Sequence, residues 1–140
     1  MKTKKVKYTP DYNFKLIGIS STEDDYKLSW KLGKMLKTEF VRAKSLQIID
    51  AKYTEYQIFS VFENEDKNKF PDIRLITNKG NEGFLIEELK NIDFFIIVHY
   101  DEATENFDKE LISTLKKEEG ITAVFSLEPS KLKSKEKLLF

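Results

Sequence analysis

Asn78–Tyr100 reads NKGNEGFLIEELKNIDFFIIVHY, and this stretch decides the fold. It opens on a turn, Asn78-Lys79-Gly80, and extends briefly over Phe84–Ile86. Glu87–Asn91 then fits one helical turn. From Ile92 to Tyr100 the chain reads as a strand in which Phe94, Phe95, Ile96, Ile97 and Val98 follow one another. Successive strand residues point to opposite faces, so a run apolar at every position needs apolar cover on both sides. Ile92–Tyr100 is therefore expected to be a central strand.

Working outward, Phe14–Ile19 (FKLIGI) has the same two-faced character. Gly18 would weaken a strand, which points to a close backbone approach or a bulge there. Phe40–Ile49, Tyr56–Phe62 and Ile73–Thr77 read as three more strands, rich in β-branched and aromatic residues. Short polar connectors between them favour an antiparallel meander. Ile121–Leu127 is the last strand, stopped by Pro129.

Two helices complete the pattern. Ser20-Ser21-Thr22 followed by Glu23, Asp24 and Asp25 is a helix start, with capping hydroxyls and first-turn acids. That helix should run to about Lys37, with Leu28, Leu32, Met35 and Leu36 on one arc and Lys27, Lys31 and Lys34 opposite. Tyr26 and Trp30 form a separate i, i+4 stripe beside Gly33. The apolar arc is thus wider than packing on one sheet requires, and the stripe calls for a cover of its own. The C-terminal tail, a second subunit or a ligand could supply it. The second helix is expected over Asn106–Glu118, with Phe107, Leu111, Ile112 and Leu115 on one face and Gly120 as its stop.

The order is β-α-β-β-β-β-α-β. It predicts an α+β two-layer sandwich, with a mostly antiparallel sheet of about six strands covered by two long helices. The plan is a ferredoxin-like variant, with split β-α-β units and extra strands inserted after the first helix. Residues 1–140 are read as a single domain with a basic arm at 1–12. The basic tail at 130–140 ends in Leu138-Leu139-Phe140 and is expected to dock.

Composition narrows the chemistry. Apolar residues make up 40% and aromatics 13%, enough for a substantial core. The chain has no cysteine, which excludes disulfides, thiolate catalysis and zinc–cysteine sites and makes the cytoplasm the default compartment. Bases and acids number 24 each. Residues 1–10 and 130–140 hold eight of the bases and one acid, which leaves 16 bases against 23 acids, a net −7, between them. An acidic body argues against a nucleic-acid footprint. The longest apolar run is too short to span a bilayer.

Ile86-Glu87-Glu88-Leu89-Lys90-Asn91-Ile92-Asp93-Phe94 resembles the signature Ile-Pro-Glu-x-x-x-Val-Asp-Tyr. The chain on this ground resembles the IPExxxVDY family of small bacterial proteins. Leu16–Ser21 (LIGISS), Thr77–Gly80 (TNKG) and the SKEKLLF ending are similar to that family as well, so the resemblance covers nearly the whole chain. Glu87, Ile92 and Phe94 depart from the signature. Glutamate at a helix start substitutes charge for the fixed φ of proline. Phe94 lacks the tyrosine hydroxyl, so no chemistry here depends on it. Glu88 and Asp93 are the retained acids, read as turn and strand-entry hydrogen-bonders more readily than as a paired-carboxylate site. The resemblance implies no activity and no cofactor.

His99 is the only histidine. His99 and Asp101 share a strand face, with Glu102 and Glu105 close by, which is a candidate metal or acid–base site. No Gly-x-Ser-x-Gly elbow, phosphate loop or calcium loop accompanies it. The leading expectation is a non-enzymatic binding or assembly module working through Tyr26 and Trp30, with a homodimer as its simplest form. A small metal-binding protein or enzyme using His99 with Asp101 or Glu105 is the alternative.

Overall fold

The computed structural model describes residues 14–49, 56–66, 72–99, 106–133 and 135–138. The strands are β1 (Phe14–Ser21), β2 (Phe40–Arg42), β3 (Leu46–Ile48), β4 (Gln57–Phe59), β5 (Val61–Asn64), β6 (Ile73–Thr77), β7 (Phe94–His99) and β8 (Ile121–Leu127). The two α-helices are α1 (Asp25–Leu36) and α2 (Phe107–Leu115). Six strands form one sheet in the order β2-β5-β6-β7-β1-β8, and every pairing in it is antiparallel. The α+β class, the six antiparallel strands and the two helices are as expected. β7 and β8 both run antiparallel to β1 and flank it, so α2 crosses over a strand lodged between the two it connects.

Alternation along the strands divides the core. Ile17 and Ile19 of β1, Ile73 and Leu75 of β6, and Phe94, Ile96 and Val98 of β7 meet Leu28 and Leu32 of α1 and Leu111 and Leu115 of α2. Leu16, Ile76, Phe95 and Ile97 face the other way. Among the described residues no α-helix packs on this second face. Phe59, Leu85, Ile86, Ile92 and Leu138 cover it, with Leu46 and Ile48 at its margin. The two-layer expectation is thereby corrected, because irregular segments and the β3–β4 pair form a cover of their own. Leu138 of the C-terminal segment is buried; Leu139 and Phe140 lie outside the described residues.

Several boundaries also differ. The strands expected over Phe40–Ile49 and Tyr56–Phe62 are each broken. Their outer halves, β3 and β4, pair as a separate two-stranded sheet. The break falls at Ser60, whose N–H donates to Thr77 Oγ1 at 3.1 Å and whose carbonyl accepts from Thr77 N–H at 3.1 Å. This exchange ties the bend to β6 and turns Phe59 onto the second face. The cap of α1 is Asp24, which accepts from Lys27 N–H at 2.8 Å. The expected capping hydroxyls do other work, since Ser21 Oγ donates to the Gly120 carbonyl at 2.6 Å. Helix α2 ends at Leu115, short of the expected Glu118, and Gly120 at φ +90° turns the chain into β8. Gly18 is approached by side chains and not by the backbone or bulge expected there: an added Cβ would lie 2.7 Å from Ile92 Cδ1 and 2.9 Å from Leu127 Cδ1.

Among the described residues no helix is long and apolar enough to cross a membrane.

Candidate functional site: an aromatic groove beside an open sheet edge

The signature segment is a joint. Ile86, Ile92 and Phe94 are buried in the two cores. A 3-10 turn over Glu87–Leu89 starts from an extended Ile86. Asp93 Oδ2 accepts from Ser21 N–H at 2.8 Å, while Asp93 N–H donates to the Ile19 carbonyl at 2.8 Å. Glu88 Oε2 accepts from the Lys133 N–H and so holds the C-terminal segment. The two retained acids therefore bind backbone in different places.

At the centre of the joint is a residue that sequence reasoning passed over. Asn78 has no exposed surface. Its Nδ2 donates to the carbonyls of Leu89 (2.9 Å) and Ile92 (2.8 Å), and its Oδ1 accepts from Ile86 N–H at 2.8 Å. Its backbone N–H donates to the Asp93 carbonyl and its own carbonyl accepts from Leu85 N–H. One amide thus pairs the buried Ile86 N–H and Ile92 carbonyl, which would otherwise be left unpaired in the core, and gives a second donor to the Leu89 carbonyl, which also accepts from Ile92 N–H at 3.0 Å. Turn propensity explains an Asn before Lys-Gly just as well, so no sequence signal marks this role.

Gln57 has a related one. Its Oε1 accepts from the N–H groups of Glu82 (3.0 Å) and Gly83 (2.9 Å), and Asn81 Oδ1 accepts from Ile58 N–H at 3.0 Å. The 80–83 turn is stapled to β4 and is no phosphate cradle.

His99 ends β7, where its N–H donates to the Asp72 carbonyl at 3.0 Å and its ring lies 6.3 Å from that of Phe14. Asp101 and Glu105, its expected companions, lie outside the described residues. Among the described residues no group of three or more His, Asp or Glu side chains could hold a metal.

Tyr26 and Trp30 stand open, at 74% and 59% exposure. The described part of the tail does not reach them, since Leu138 packs on the opposite face of the sheet. They form one wall of a groove of about 790 Å³ between the outer side of α1 and the β2 edge. Phe40, Phe62, Lys34, Lys37 and Arg42 line the rest, with Glu39 as the one acid. Lys34 Nζ sits 4.4 Å from the Trp30 ring centroid, within cation–π range, and Arg42 Cζ lies 5.9 Å from that of Phe62. Phe40, Phe62 and Arg42 were not singled out in the sequence. Phe40 and Arg42 follow closely after α1 in the chain, and the β2–β5 pairing brings the distant Phe62 beside them.

The groove's helix is anchored at its N-terminal end by charge. Lys31 Nζ donates to Glu23 Oε1 at 3.1 Å and to the Glu119 carbonyl at 2.7 Å, and Lys27 lies 3.5 Å from Glu23 Oε2. The Lys31 hydrogen bond, with help from the charges of Lys27 and Lys31 and against an opposing desolvation effect, holds the Glu23 carboxyl below its ordinary pKa.

No protein-family model matches the chain, and no curated protein matches it.

Proposed function

We propose that this protein is a non-enzymatic binding or assembly module that engages a partner over the Tyr26–Trp30 surface. The observation carrying this reading is the exposure of both aromatics on a helix whose other face is fully engaged in the core. Exposed Trp and Tyr in a concave, partly cationic setting are the residue types that anchor interfaces. Membership of the IPExxxVDY family, proposed on the resemblance of Ile86–Phe94, fits a module of this kind. There the signature residues build the scaffold and the groove does the work. A ferredoxin-like plan is proposed for the fold on the order β8-β1-β7 with β2 beyond it, β5 and β6 being the inserted strands.

The test is site-specific. A photoreactive phenylalanine analogue at position 26, irradiated in the intact host cell, is expected to give one defined cross-linked product. Its mass distinguishes a second copy from another protein. That partner, once purified, should bind the unmodified chain and not Trp30→Glu. The same analogue at exposed Lys117 should give no such product. Equal labelling from both positions, or none from position 26, removes the reading.

A further inference from the structure

Beside the aromatics lies an unpaired length of backbone. Among the described residues β2 is an edge strand, paired only with β5. Glu65 N–H donates to the Glu39 carbonyl and Ala43 N–H to the Val61 carbonyl, both at 2.8 Å. Residues 39, 41 and 43 therefore turn their backbone groups toward β5. Phe40 and Arg42, the non-hydrogen-bonded pairs opposite Asn64 and Phe62, turn theirs outward. No partner for them occurs among the described residues. The Phe40 nitrogen lies close to the end of α1 at Gly33. The open groups are thus the Phe40 carbonyl and the N–H and carbonyl of Arg42. Both side chains line the groove, so an added strand would lay every second side chain into it.

Resting on the binding-module reading above, we propose that β2 and the groove take an extended acidic segment of a partner protein as an additional strand. Backbone hydrogen bonds to Arg42 and Phe40 set its position, as in other strand-addition complexes. The groove reads its side chains. An apolar or aromatic residue packs on Trp30 and Tyr26. Acidic residues two positions away on either side meet Lys34, Lys37 and Arg42, three bases opposed only by Glu39. Charge complementarity selects this occupant. A second copy docking groove to groove would set these bases against each other. Three bases are also too few to track a phosphate backbone, and the body around them is acidic.

Trp30 is the only tryptophan, so its fluorescence reports the groove without a label. The probe is the capped peptide Thr-Glu-Thr-Phe-Thr-Glu-Thr, titrated into the full chain at low salt. A saturable change in Trp30 emission that weakens as salt rises is expected. Residues facing the groove are also those whose N–H groups meet β2. N-methylation of the two Glu and the Phe should therefore lower affinity at least about tenfold, whereas N-methylation of the Thr residues should not. Arg42→Glu should lower it about tenfold, with the unfolding midpoint of the free protein checked to show that the variant is folded. Equal binding of both methylated peptides overturns the strand-addition geometry. No binding of the parent peptide overturns the proposal, and so does tighter binding of a single-stranded oligothymidylate. If the peptide fails while the position-26 cross-link succeeds, the acidic-strand proposal falls and the binding-module reading stands.

Discussion

The signature joint and the aromatic groove lie in the same small protein and treat their polar and apolar groups in opposite ways. In the joint, polar groups from Ser21, Asn78, Asp93 and the backbone around Ile86 are paired at 2.6–3.1 Å, and the apolar residues between them are buried. In the groove, two large aromatics face outward, three bases surround them, and an edge strand has backbone groups with no partner among the described residues. Closed hydrogen bonding and buried apolar surface are what stability demands. An exposed aromatic next to an open edge is something folded proteins generally avoid, because it invites association. The contrast teaches that Ile86–Phe94 is built for stability, and that the exposed aromatic and basic surface lies elsewhere.

Substitutions can break that contrast, and the largest effect belongs to the joint. Asn78→Ala strands the Ile86 N–H and the Ile92 carbonyl in the core and takes one of two donors from the Leu89 carbonyl. A loss of about 3 kcal/mol or more in urea unfolding is expected. A loss under about 1 kcal/mol would show that the joint is not the structural centre. Gly18→Val comes next, at about 2 kcal/mol, since its Cβ meets Ile92 and Leu127. The obstructing atoms are side-chain ends that can shift, which keeps the effect below that of Asn78. Asp93→Ala removes the acceptor for Ser21 N–H and should cost about 1–2 kcal/mol. Asp93→Asn, which keeps an acceptor oxygen, should recover much of it.

The groove's anchor gives a pH-dependent effect. Glu23 has its carboxyl pKa lowered in the folded state. Its contribution is therefore present above the unfolded-state pKa and is lost as pH falls through the folded one. Lys31→Met should flatten that acid limb of the stability profile, as read from unfolding midpoints across the acidic range. Trp30→Ala should have the smallest effect on folding, within about 0.5 kcal/mol, because it vacates exposed surface. It should nonetheless abolish partner cross-linking from position 26.

Much of the scaffold was legible in the sequence because periodicity records burial. Phe94–Val98 is apolar at every position and lies between two cores. Leu28 and Leu32 share a helical arc and are buried together, and Tyr26 and Trp30, off that arc, are exposed. What escaped has a common cause, in that it depends on neighbours distant in the chain. The strand expected over Tyr56–Phe62 is interrupted at Ser60, whose N–H and carbonyl both pair with Thr77. The second face is closed by segments with no regular period, so a pattern of helices and strands counts one layer too few. Asn78 looks like an ordinary turn residue until Leu89 and Ile92 are placed around it. Of the candidate sites, the aromatic stripe was legible, but Arg42, Phe62 and the backbone beside it come from β2 and β5, and that β2 lies at the edge of the sheet follows from the strand order, which no residue pattern marks. The residues meant to complete a site with His99 lie outside the described part of the chain.

One measurement reads both regions at once: amide hydrogen exchange of the free protein, resolved by residue. The N–H groups of Asn78, Leu85, Ile86 and Asp93 should exchange only through global unfolding, while that of Arg42 should exchange freely. Fast exchange at Ile86 together with strong protection at Arg42 would contradict the account, since the joint would then be the mobile region and the edge of β2 already closed.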